Sequence, residues 1–206
     1  MSRKNRAFVD DSPRVRVTPL LCSNVYGGVA TLLELGDVRI LLDCGNSVGT
    51  QSSNVQSLRD TLQKGRGVDI VILSHADIQH IGSLPALFGS EGLTPPPVVC
   101  SFPVFKMGQM VLYDCALNNI MEGKAVQSFS LDDVDRCFER VVPVKYNQTI
   151  SVAKAMGISE AKSDARSHVK VRAYPSGRTI GGSIWRIQYF HADILYAVDI
   201  SLVKDT

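Results

Sequence analysis

The chain has 206 residues, of which 45% are hydrophobic and 20% charged, enough apolar material for one sizeable core. A formal net charge of +2 gives no global attraction for nucleic acid, so any RNA contact has to be local. No stretch is long and apolar enough to span a bilayer, and Asp10, Asp11 and Pro13 arrive before a signal-peptide core can form, so no membrane partner is expected. The five cysteines, Cys22, Cys44, Cys100, Cys115 and Cys137, are odd in number and form no Cys-x-x-Cys pair. Reduced thiols packed as small apolar side chains follow, which suits cytosol or nucleus.

In chain order, strands are predicted over Arg14–Leu21, Val29–Leu35 and Val38–Asp43, the last two joined by the tight Gly36-Asp37 turn. Asn54 is placed to cap a helix from Val55 to Lys64, which Gly65 and Gly67 end. The apolar run Val68–Leu73 is a strand, Ser83–Phe88 a short helix, and Val98–Cys100 a strand after three prolines. Val104, Met107, Val111, Leu112 and Cys115 fall near helical spacing and predict a helix to about Asn118. Ser130 with Asp133 resembles a capping box, with Asp in place of Glu, opening a helix over Leu131–Arg140.

The last third reads as β-rich, with strands at Thr149–Val152, His168–Tyr174, Ser183–Tyr189 and Ile194–Asp199, and His191-Ala192-Asp193 as the final turn. Between the first two lies a polar, small-residue stretch, 154–167, expected to be a mobile insertion.

Chemistry-bearing residues gather where apolar runs end. The run Val68–Leu73 empties into Ser74-His75-Ala76-Asp77-Ile78-Gln79-His80, Ile40–Leu42 into Asp43, and Ile194–Val198 into Asp199. A single loop histidine is more often satisfied by backbone carbonyls than by a metal. An acid that follows a wholly apolar run usually has a partner. Arg178, in the glycine-bounded turn Gly177–Gly182, reads alone as a surface arginine, and Lys106, Arg136 and Arg140 as solvated helix faces.

Taken together, Leu73–Pro85, Phe102–Met110, Leu131–Asp135, Ala173–Trp185 and Tyr196–Asp199 resemble, in order, the N-terminal part of the metallo-β-lactamase and β-CASP family of RNA-processing proteins. The nearer likeness is to a catalytically degenerate branch of that family in the pre-mRNA 3′-end cleavage and polyadenylation machinery. The resemblance covers most of Leu20–Asp199 and is lacking over Met1–Pro19 and Val152–Ser167. It implies an α/β fold, α+β by strand pairing: an αββα sandwich of which this chain holds the N-terminal portion. Residues 1–19 would be an extension and 20–206 the lactamase-like part, with the β-CASP and C-terminal regions lying beyond, so that a free sheet edge and an uncovered apolar face are expected.

The intact family loop reads His-x-His-x-Asp-His. Here His75 and His80 keep the outer positions, Asp77 replaces a histidine and Gln79 a carboxylate. Two zinc ions in one pocket need nearly every ligand to lower the pKa of a shared water. Where cutting members present Gly-His, this chain has Gly177-Arg178, a cation with no lone pair for a metal. Asp199 matches the bridging acid, and Asp43 the acid that braces the loop from behind.

The degenerate site is therefore Asp43, His75, Asp77, Gln79, His80, Arg178 and Asp199, with Arg178 expected to pair with Asp199 and Asp77 in the metal's stead. Two readings stand. One is a non-catalytic, nuclear pseudo-nuclease without metal or cofactor, partnered by an active paralogous endonuclease, other cleavage and polyadenylation factor subunits and pre-mRNA. The other is a one-metal hydrolase acting on RNA or a small ester through His75, Asp77, His80 and Asp199.

Overall fold

The computed structural model describes residues 14–21, 27–46, 52–89, 93–121, 129–160 and 164–202. The basic start at Arg3, Lys4 and Arg6 lies outside them. Two sheets face one another. The first has six strands in the order β1 (Val15–Leu21), β2 (Ala30–Leu35), β3 (Val38–Leu42), β4 (Ile70–Ile72), β5 (Val98–Ser101), β6 (Val141–Val144). Pairing is antiparallel from β1 to β3, with Gly36 at φ +57° in the expected hairpin, and parallel from β3 to β6. The second sheet is antiparallel, ordered β10 (Ala192–Tyr196), β9 (Ser183–Tyr189), β8 (Val169–Pro175), β7 (Thr149–Ser151).

Every residue of β3 is buried because both faces of the first sheet are covered. One face, with Leu33, Ile40, Ile72 and Val99, meets Val171, Trp185 and Ile187 of the second sheet. The other, with Leu41, Val71, Val98 and Cys100, carries the helices α1 (Ser52–Lys64), α3 (Leu84–Phe88), α4 (Phe102–Met121) and α5 (Leu131–Cys137) through Leu58, Leu87, Val104, Leu112 and Val134. Helix, sheet, sheet is the layering among the described residues, with β1 and β10 at free edges. Among the described residues Cys44, Cys100, Cys115 and Cys137 are free thiols; Cys22 lies outside them.

Several boundaries move. Helix α1 starts at Ser52, which places Asn54 inside its first turn rather than at a cap. Strand β1 starts within the stretch 1–19 read as an extension and pairs with β2. A short helix α2 (Ile78–Ile81) forms inside the histidine loop, and α5 stops at Cys137, its Ser130–Asp133 capping box intact. Strand β6 was not expected. The polar stretch 154–167 is partly structured: α6 (Val152–Ala155) buries Val152, Ala153 and Ala155, and α7 (Ala165–His168) carries Arg166, which clasps Asp69 at 2.8 Å. The last turn falls at Phe190-His191, so β10 ends at Tyr196 and Asp199 lies beyond the strand, at φ +48°.

Candidate functional site

Parallel strands deliver their C-terminal ends to one rim, and the candidate residues sit on it. Asp43 follows β3, fully buried, its N–H bonded to the Ile72 carbonyl at 2.9 Å. Its Oδ1 accepts from the Ser74 N–H at 2.7 Å, and its Oδ2 from the Ser74 hydroxyl at 2.6 Å and the Tyr196 phenol at 2.8 Å. Asp43 thus braces the loop from behind. Burial pushes its carboxyl up to about 6, against the pull of His80 and of these hydrogen bonds.

The hydroxyl direction fixes the next tautomer. Because Ser74 Oγ–H donates to Asp43, its oxygen accepts from His75 Nδ1 at 2.9 Å. His75 Nε2 is then a lone pair that accepts from Ser176 Oγ–H at 3.0 Å. Burial, with His80 nearby, holds His75 below the ordinary imidazole pKa and neutral. The turn that brings Ser176 here is tightly fitted: a Cβ on Gly182 would lie 2.6 Å from Ser176 Oγ and 2.9 Å from His75 Cδ2.

His80 behaves differently. Its Nδ1 lies 2.8 Å from Asp77 Oδ1, which also accepts the Gln79 N–H at 3.0 Å and so caps α2. Burial opposes its charged form, yet the Asp77 bond and the charges of Asp43, Asp77 and Asp199 outweigh it and raise the pKa. Asp77 responds in kind, burial being overcome by His80 so that its carboxyl is lowered. His80 Nε2 is buried with no hydrogen-bond partner among the described residues, 3.9 Å from Asp199 Oδ2.

Arg178 reaches Asp199, Nε to Oδ2 at 3.6 Å, but its side chain is 57% exposed and that of Asp199 34%. The pair is a rim contact rather than a buried bridge, and the expected second partner, Asp77, is bonded to His80 instead. Gln79 acts through its backbone: its carbonyl accepts from Val29 N–H at 2.8 Å, and any Cβ on Gly45 would lie 1.6 Å from that oxygen.

The fold family implies a pair of metal ions, and these residues do not fit one. Both nitrogens of His75 are engaged, and position 178 supplies a cation. A single ion is a closer match, since Asp77, His80 and Asp199 each bring one donor atom within 4.8 Å of the others. Such an ion would compete with His80 for Asp77 and meet Arg178 across Asp199. His75 stands outside this group, so the four-residue set of the one-metal reading shrinks to three. Asp43, His75, Asp77, His80, Arg178 and Asp199 gather on the rim, Gln79 through its backbone alone, but Ser74, Ser176 and Tyr196, which fix their protons, were not foreseen. Ser74 adjoins His75 in sequence and Ser176 adjoins Gly177, the single clue available.

The chain is similar to known proteins over most of its length. A family profile described as a metallo-beta-lactamase superfamily domain matches residues 32–206. The probable cleavage and polyadenylation specificity factor subunit 2 of Drosophila melanogaster is 40% identical over 84% of this chain, which spans 21% of that protein. The subunit 2 of Oryza sativa subsp. japonica is 32% identical over 93% of the chain, which spans 24% of that protein. Among solved structures, a Cronobacter sakazakii metallo-β-lactamase with a HARLDQ motif superposes at TM-score 0.56 and 14% identity, covering 90% of this chain and 60% of its own, a likeness of fold alone. No described helix is long and apolar enough to cross a membrane.

Proposed function

The chain belongs to the metallo-β-lactamase superfamily, and from that premise we propose that it is the N-terminal part of a non-catalytic pseudo-nuclease subunit of the pre-mRNA 3′-end cleavage and polyadenylation machinery. It works in the nucleus as a scaffold, paired with an active paralogous endonuclease and other factor subunits. The observation that carries this is the state of His75: one nitrogen bonds Ser74, the other Ser176, in place of a metal. Arg178 against Asp199 supports it, because a fixed cation occupies the acid that would bridge two ions. The relatives at 32–41% identity carry a name from that machinery, which supports the assembly.

A second reading keeps one observation. The unpartnered His80 Nε2, with Asp77 and Asp199, could seat one zinc, which would supply Lewis acidity and an activated water to a hydrolase. Elemental analysis of the intact protein, a ribonuclease assay and co-purification with the paralogous endonuclease separate the two. Co-purification without stoichiometric zinc or cleavage is expected. One tightly held zinc per chain with metal-dependent cleavage would overturn the scaffold reading.

A further inference from the structure

The outward face of the second sheet is away from the degenerate site and has an unusual charge pattern. Alternation turns Lys170, Arg172 and Tyr174 of β8 outward, and Arg186 and Gln188 of β9 beside them. The register sets Arg172 directly opposite Arg186 and Lys170 opposite Gln188. Like charges directly opposite on a sheet oppose pairing, and each arginine is offset by a cross-strand partner rather than by the other. Asp193 chelates Arg186 at 2.9 and 3.0 Å, and Thr149 Oγ1 accepts from Arg172 at 2.8 Å, which leaves Lys170 and Arg172 without a carboxylate and the face net cationic. The Tyr174 phenol accepts from both guanidinium groups and is held below its usual pKa by them.

An open cavity of about 490 Å³ adjoins the Lys170–Gln188 row, lined also by Glu160, Ser167, His168 and Phe190. Phe190 is 58% exposed, and the His168 ring stacks on it with centroids 4.7 Å apart. The Ser167 hydroxyl is buried with no hydrogen-bond partner among the described residues, an orphan beside an open space. Glu160, the one acid in the lining among the described residues, is bonded to the Ser151 hydroxyl.

We infer that this face binds single-stranded RNA, with phosphates on Lys170 and Arg172 and a base in the cavity against Phe190. Residues two apart on a strand are ~6.7 Å apart, so Lys170 and Arg172 offer cations at a spacing that an extended sugar-phosphate backbone can follow. Aromatic rings provide the sequence-tolerant stacking that unpaired bases use, and Gln188 supplies amide groups for a base edge. An acidic protein segment would use the cations but has no need of the aromatic cavity. The choice of RNA as occupant rests on the RNA-processing reading above, while the basic, aromatic face does not.

The test is fluorescence anisotropy of a labelled, unstructured 15-nucleotide RNA with the full-length protein. Lys170→Gln with Arg172→Gln, and separately Phe190→Ala, are compared with a charge-matched control, Arg66→Gln with Arg140→Gln on the first-sheet side. Thermal melting verifies that each variant is folded. About tenfold weaker binding is expected for the double variant, with the salt slope smaller by more than one. Phe190→Ala is expected to weaken binding with the slope unchanged, and photo-crosslinks from 4-thiouridine RNA are expected on residues 168–190. Wild-type affinity in both test variants overturns the inference, as does equal competition by polyglutamate, which would assign the face to an acidic protein. Endonuclease co-purification is read on the same variants: its loss in wild type would fail the scaffold proposal without touching this one.

Discussion

Ser176 Oγ lies 3.0 Å from His75 Nε2 across 101 positions of chain, and that contact removes the last free lone pair of the ring. The ring is thereby held at both nitrogens, by Ser74 on one side and Ser176 on the other. Ser176→Ala is expected to lower stability by about 1–3 kcal/mol, the usual consequence of stranding a buried polar atom. Chemical denaturation measures it, and a change within error would mean that the histidine is not held by this serine.

Arg178→Ala has a smaller expected effect on folding, because the ion pair is exposed at the rim. Surface pairs are worth ~0–1 kcal/mol, not the larger loss that a buried pair would give. Its consequence falls on cations instead. With the guanidinium gone, zinc affinity at Asp77, His80 and Asp199 is expected to rise, read by titration calorimetry on wild type and variant side by side. Identical titrations would remove Arg178 from any metal-replacing role.

Restoring the ligands with Asp77→His, Gln79→Asp and Arg178→His is expected to recover saturable zinc binding, because the loop backbone and both acids are already placed. The change also removes the Asp77 cap from α2, so a loss of about 1 kcal/mol accompanies it. A folded triple variant that ignores zinc would show that the ligand positions no longer converge.

The two histidines are expected to titrate in opposite directions. His80 is raised, so its charged form contributes stability in full below the unfolded imidazole value near ~6.5, lost as pH rises through the higher folded value. His75 is lowered, so its neutral form contributes in full above the unfolded value near ~6.5, and that contribution is lost as pH falls through the lower folded value. Imidazole proton shifts followed by NMR, assigned with His75→Gln and His80→Gln, check the order. His75 titrating above His80 would refute the hydrogen-bond directions drawn here.

The sheet architecture was legible because apolar runs of strand length stop at polar residues, whereas the loop frame at His75 and His80 came from its resemblance to the family's His-x-His-x-Asp-His loop. Strand β6 escaped because Pro143 interrupts it; a proline is tolerated there since β6 is the edge of its sheet, where a missing N–H costs little. Asp199 was expected at a strand end, but the chain leaves β10 after Tyr196, and the Ser201 N–H reaches the Ser176 carbonyl at 2.9 Å. Asn54 has cap chemistry, yet the helix already begins at Ser52. Arg178 lies beside Asp199, but as an exposed pair, and Asp77 is held by His80 three residues on; neither the exposure nor that local competition is written in the residue types alone.

Three main-chain hydrogen bonds tie the segment before α1 to the histidine loop: Val29 N–H to the Gln79 carbonyl, Cys44 N–H to His80, and Asn46 N–H to Ile78, all 2.7–2.9 Å. None of them consults a side chain. Position 79 can exchange a carboxylate for an amide, and position 77 an imidazole for a carboxylate, while the loop keeps its course. The course of the loop and the chemistry of its side chains are carried by different atoms in this protein.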